Sequence, residues 1–168
     1  SLFRLWSRVR RSEVAEWYEA NDDDFFACGK GRGAEACVWR QAIRAEAGVA
    51  QGGRAATVLW DATKFYDNFD LDVLYERGAA LGFPLTVLRV CYNMYRAPRI
   101  MRAGCFYLAA GFAKFGLPAG CIWSDIMVRI YCISPFRALV LRHASMSFDF
   151  YIDDFGFGTT GQHHSVVS

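Results

Sequence analysis

Residues 2–20 place Leu2, Leu5, Trp6, Val9, Val14, Trp17 and Tyr18 at helical spacing, with Arg4, Arg8, Arg10 and Arg11 between them. The pattern predicts one helix with an apolar stripe and a basic face, and that face reads as solvated or as a contact for nucleic-acid phosphates. Asn21-Asp22-Asp23-Asp24 breaks the helix and reads as a surface turn and not a metal site, since nothing partners it. A second helix is predicted over 34–49, ended by Gln51-Gly52-Gly53. The almost unbroken apolar run 55–60 then suits a buried strand, which ends at Asp61. Asp70 is a good N-cap for a helix over 71–81, with Gly82 as its stop. Pro84 suits the first position of another helix running to about Tyr95. Segments 99–103 and 106–110 read as a short hairpin about Gly104, and residues 116–124 open a long apolar helix that Ser124 would cap.

The strongest period-two signal lies at 148–157. Phe148, Phe150 and Ile152 fall on one face, and Phe155 and Phe157 follow after a break. This predicts a hairpin with Asp153 and Asp154 at its tip. The order β-α-α-ββ-α-ββ, with no internal repeat or low-complexity linker, predicts an α+β fold: an antiparallel sheet with helices packed on one face.

Composition changes this picture in three places. A chain of 168 residues with 54% hydrophobic and 16% aromatic content can bury a core. Net charge is only +2, so no global basic field advertises nucleic acid, yet 16 of the 19 basic residues are arginine, which suits phosphate and base contacts. The six cysteines form no C-x-x-C pair and lack zinc spacing to His143, His163 or His164, so they read as reduced, mostly buried thiols of an intracellular protein. His163-His164 reads as a solvated tail. The start shows no secretory pattern, and Asp125, Arg129, Pro135 and Arg137 make the run 121–141 a buried helix rather than a membrane span. The chain lacks an initiating Met and begins inside a helical pattern, so it is expected to be a fragment.

Two adjacent carboxylates repel each other and resist burial. Asp153-Asp154 therefore serves either turn chemistry in water or a divalent cation, because hard ions such as Mg²⁺ take carboxylate oxygens. The cation reading needs a third carboxylate at a strand end, and Asp61 is the candidate. The Gly-rich loop 25–33 could cradle phosphate, but no G-K-[ST] opens the helix after it.

Three blocks in order carry a resemblance: D-A-T-K-F-Y-D-N from Asp61, G-L-P-A-G-C-x-x-S from Gly116, and F-x-F-Y-I-D-D from Phe148. They resemble motifs A, B and C of reverse transcriptases, especially those of group II introns and non-long-terminal-repeat retrotransposons. The loop 25–33 is similar to the G-F-x-x-G-R-S segment before motif A, with Gly33 where Ser is usual. The resemblance implies a polymerase palm over 55–168, part of the fingers over 1–54, and no thumb. It implies RNA-directed DNA synthesis with two Mg²⁺ or Mn²⁺ ions, held by the catalytic carboxylates Asp61, Asp153 and Asp154 with the Ala62 carbonyl. Tyr66, with Phe65 beside it, Gly120 and Ala119 are expected at the nucleotide. Tyr66 would crowd a 2′-hydroxyl and so select deoxynucleotides, though the position also suits an ordinary core aromatic. Lys30, Arg32, Lys64, Arg102, Gly116 and Pro118 are the expected nucleic-acid contacts. Ala119 departs from the family, which often has Gln there.

The implied partners are an RNA template, a DNA primer and dNTPs, with a thumb and an endonuclease domain in the full-length protein. No membrane is implied, and the expected location is the nucleus or cytoplasm. Two other readings compete. One is a degenerate or domesticated palm that binds RNA or protein without catalysis. The other is an RNA-dependent RNA polymerase, against which Tyr66 and Tyr151 argue.

Overall fold

The computed structural model describes residues 2–29, 31–109, 111–118 and 120–161. In chain order its elements are α1 (Leu2–Val9), α2 (Arg11–Ala20), α3 (Ala34–Ala50), β1 (Arg54–Asp61), α4 (Leu71–Ala80), α5 (Leu85–Arg96), β2 (Ile100–Ala103), β3 (Phe106–Ala109), α6 (Ser124–Arg142), β4 (Ser147–Tyr151) and β5 (Asp154–Gly161), with a 3-10 turn over Phe65–Asn68. The fold is α+β with antiparallel sheets. Contacts divide it into two compact units. One takes the chain up to Asn21 together with Lys64–Ser134; the other takes Asp22–Thr63 and the chain from Pro135 on.

The first unit is helical. Leu71 and Leu74 of α4, Val87, Leu88, Cys91 and Tyr95 of α5, Trp123 just before α6 and Met127 in its first turn are all almost wholly buried. Asp70 caps α4 as its position suggested, accepting from the Asp72 and Val73 amides at 2.9 and 3.2 Å. Trp17 of α2 donates to the Leu81 carbonyl at 2.9 Å and meets Phe83 edge-on. Arg129 is buried and tolerable there because it donates to the Asn21 carbonyl and the Tyr18 hydroxyl and lies over the Tyr18 ring. The N-terminal pattern makes two helices, not one, with Arg10 between them. Ser124 does not cap α6. It is the first helical residue, and its hydroxyl donates backwards to the Cys121 carbonyl at 2.7 Å. The hairpin β2–β3 forms around Gly104 as expected and is exposed throughout; Ala110 lies outside the described residues.

The second unit is built on the antiparallel sheet β1-β5-β4. Its register puts Thr57, Leu59 and Asp61 on the same face as Asp154, Gly156 and Gly158 of β5 and Asp149 of β4. α3 lies on that face. Gln41 of α3 packs on Gly156: a Cβ there would stand 2.2 Å from its amide nitrogen, so any larger residue would require the Gln41 side chain to move. The opposite face is aromatic: Phe150 stacks on Phe136 with ring centres 3.6 Å apart, and Phe148 and Phe155 meet Phe150 at wider angles. Phe25 and Ala27 bond to the Phe150 backbone and so cover the outer edge of β4.

Two sequence expectations fail in this unit. β1 was expected to be buried, but Val58, Leu59 and Trp60 are 52–70% exposed. β1 is the outer strand of the sheet, and an edge strand with an apolar run reads the same in sequence as a central one. The acidic run was expected to lack partners, but Asp22 pairs with Arg32 and Asp23 with Arg137, while the Asp24 carbonyl accepts from Arg40 at 3.1 Å. Among the described residues no helix is long and apolar enough to cross a membrane.

Candidate active site

The sheet of the second unit brings three acidic residues to one end. Asp61 is the last residue of β1 and stands opposite Asp154, the first residue of β5. Tyr151 of β4 also pairs with Asp154, so Ile152 and Asp153 form a two-residue turn, and the tip is Ile152-Asp153 rather than the two aspartates. The Asp153 carbonyl accepts the Ala62 amide at 3.2 Å, which ties the turn to the exit of β1. Ile152 has φ 59°, a left-handed conformation that a β-branched residue adopts only at a cost.

Charge separates these aspartates from the fourth one in the sheet. Asp149 is 2% exposed and is neutralised by Arg40 and Arg44 of α3, the latter at 2.8 Å. Asp61 and Asp154 are exposed and Asp153 half-buried, and none of the three carboxylates has a hydrogen bond or ion pair among the described residues. Unpaired carboxylates held at one sheet end form a negative patch of hard oxygen donors, which suits a divalent cation. Among the described residues no three His, Cys, Asp or Glu side chains are closed into a ready-made metal cage. What the fold supplies is the backbone juxtaposition. A cavity of about 300 Å³ opens beside it, lined by Val38 of α3, Leu59 and Trp60 of β1, and Asp61 and Asp154.

The remaining predicted residues fall in both units. In the first, Tyr66 and Phe65 lie in the 3-10 turn, half-buried. The Tyr66 carbonyl accepts the Leu117 amide and the Phe69 carbonyl the Gly116 amide, both at 2.8 Å, so the end of the first block is bonded to the start of the second. Gly116 has φ 97°, a conformation that favours glycine at this junction. Pro118 is half-buried and Gly120 exposed. Lys64 is exposed, and its carbonyl closes the 3-10 turn. Arg102 bonds the Gly104 carbonyl at 2.9 Å on the exposed hairpin. In the second unit, Arg32 is engaged by Asp22 and by the Phe26 carbonyl at 2.7 Å. Lys30, Ala119, His163 and His164 lie outside the described residues. Sequence reasoning missed Asp149 with Arg40 and Arg44. The signal available was an acid flanked by Phe148 and Phe150 in a strand, which must find a counter-charge if buried.

The sheet with its acidic end and the attached helices define an α+β fold of the polymerase-palm kind. Among solved structures, one titled apo telomerase from Candida tropicalis, truncated from its C-terminal domain, is similar, with a TM-score of 0.64 over 93% of this chain. Identity is 15%, so the likeness speaks for the fold, and this chain spans about a third (34%) of the length of that telomerase chain. No family model matches, and no curated protein matches.

Proposed function

We propose that this chain is a reverse-transcriptase-type nucleotidyltransferase domain that extends a DNA primer with dNTPs on an RNA template. The observation that carries the reading is the backbone placement of Asp61, Asp153 and Asp154 at one sheet end, with no counter-charge among the described residues. The telomerase-like fold supports the wider class; the three motif blocks carry the narrower one, a retroelement enzyme.

Asp61, Asp153 and Asp154 would hold two Mg²⁺ or Mn²⁺ ions, which when bound lower the pKa of the primer 3′-hydroxyl and stabilise the triphosphate charge. In the reaction the 3′-oxygen bonds to the α-phosphorus of the dNTP and pyrophosphate leaves. The chain's own part is positioning. The β1–β5 register holds Asp61 against Asp154, and the Ala62–Asp153 bond fixes the turn beside them. Tyr66 would select the sugar by excluding a 2′-hydroxyl. Ala119 cannot hydrogen-bond as Gln would, and this favours, as the second reading, a palm that binds nucleic acid without catalysis.

The test is extension of a labelled DNA primer on an RNA template with four dNTPs and Mg²⁺ or Mn²⁺. Template-dictated extension supports synthesis and eliminates the second reading. Strand binding without extension under either ion supports the second reading instead.

A further inference from the structure

β1 is the outer strand of its sheet and pairs with β5 on one side only. The hairpin fixes which of its backbone groups are left over. Tyr151 and Asp154 close a two-residue turn, so they form a hydrogen-bonded pair, and such pairs alternate along the antiparallel strands. Asp154, Gly156 and Gly158 of β5 therefore bond to β4, and Phe155, Phe157 and Thr159 bond to β1, where their partners are Trp60, Val58 and Ala56. The N–H and C=O groups of Ala55, Thr57 and Leu59 then point away from the sheet, and none of them is bonded among the described residues. This open edge is unguarded. Val58, Leu59 and Trp60 are all more than half exposed, and between Arg54 and Asp61 the strand has no charge, proline or bulge.

We propose that the β1 edge pairs with the same edge of a second copy of this chain, antiparallel and centred on Thr57, which joins two three-stranded sheets into one across a two-fold axis. An axis normal to the sheet sets residues of the same face opposite each other. Centred on Thr57, the pairing places Ala55 opposite the partner's Leu59 and Ala56 opposite the partner's Val58, so each small side chain meets a large one. Arg54 is exposed and its guanidinium has no partner among the described residues; it comes opposite the partner's Trp60, a ring 65% exposed and open to a cation. Thr57 meets its own copy, a favourable cross-strand pair. The hydrogen-bonded pairs fall on Ala55, Thr57 and Leu59, the residues whose groups point outward. Gly53 comes opposite the partner's Asp61, so no side chain is set against the acidic sheet end. Moving the centre to Val58 sets Ala55 against Asp61 and Arg54 against Ala62, and the contact between Arg54 and Trp60 is lost. The second copy is therefore a partner whose charge, size and backbone pattern all match this edge.

The experiment is sedimentation equilibrium of the whole chain at about 10–100 µM, a range suited to a small interface. The parent should sediment as a dimer at the upper end. Thr57→Lys sets two like charges at the axis and should weaken association by at least about tenfold, with a urea midpoint near the parent's. The register is read separately by oxidative cross-linking. In a Cys105→Ser background, which removes the exposed native thiol, Thr57→Cys, Val58→Cys and Leu59→Cys are compared. Thr57→Cys should give the disulfide-linked dimer fastest, because residue 57 alone meets itself across the axis. A parent that is monomeric at about 100 µM overturns the proposal. So does a dimer that Thr57→Lys leaves intact, or cross-linking fastest at residue 58 or 59. Should Thr57→Lys fail to fold, the cysteine series decides. Mass and cross-linking are read without nucleic acid or dNTPs, so failure here leaves the catalytic reading standing.

Discussion

Asp61 stands directly across from Asp154 in the β1–β5 register, at the end of the sheet where Asp153 makes the turn. Directly paired residues of antiparallel strands share a face, and like charges there are unfavourable. The same face carries Asp149, whose charge is met by Arg40 and Arg44. One sheet therefore holds two kinds of carboxylate: one neutralised from within, and three without a counter-charge among the described residues.

This contrast predicts opposite stability effects. Asp154→Asn should raise stability by about 0.2–1 kcal/mol, the usual cost of a like-charge cross-strand pair. Asp149→Asn should lower it by about 3 kcal/mol, the lower end for breaking a buried pair because the two guanidiniums are partly exposed. Urea midpoints of the two variants and the parent check both signs. Equal destabilisation by both would mean that the sheet-end carboxylates are structural.

Burial pushes the Cys91 and Cys132 thiols up to about 12, with neighbouring Cys121 adding to the effect at Cys91. A folded-state pKa raised above the unfolded value of 9.0 means that these groups favour folding below pH 9, and that this contribution is lost as pH rises from about 9 through 12. In iodoacetamide labelling at pH 8, exposed Cys105 should react first, and Cys91 and Cys132 at least about a hundredfold more slowly until urea unfolds the chain. Peptide mapping of the alkylated sites reads the order. Early labelling of Cys91 would show that the α5 core is open.

The two predictions draw on parts of the molecule that were unequally legible in the sequence. The 148–157 hairpin declared itself because alternation of Phe148 and Phe150 has only one strand reading, and the Asp70 cap because side-chain chemistry at a helix start is local. The exposure of β1 was not legible: Val58, Leu59 and Trp60 are apolar whether a neighbouring strand covers them or not. The Asp149 pair was hidden because Arg40 and Arg44 lie more than a hundred residues away in sequence, and only the register says which strand face α3 covers. Ser124 misled because a serine at a helix start caps only when it lies one residue outside the helix.

Tyr66 is proposed to separate substrate classes. If its ring packs beneath the deoxyribose, Tyr66→Ala should admit ribonucleotides and lower the dNTP-over-rNTP preference by one to two orders of magnitude, about 1.4–2.8 kcal/mol. The measurement is the ratio of incorporation efficiencies in variant and parent. An unchanged ratio with both proteins active would make Tyr66 a core aromatic and would withdraw the sugar-selection argument.

The central claim is that the unpaired carboxylates perform nucleotidyl transfer. Asp153→Asn keeps the size of the side chain and the Ala62–Asp153 backbone bond while removing one negative ligand. Single-nucleotide extension of a DNA primer on an RNA template with Mg²⁺, comparing this variant with the parent, is the direct test. The account predicts that the parent extends and the variant falls by at least about a thousandfold, roughly 4 kcal/mol of transition-state stabilisation, with its unfolding midpoint unchanged or higher. Extension by Asp153→Asn at the parent's rate would contradict it.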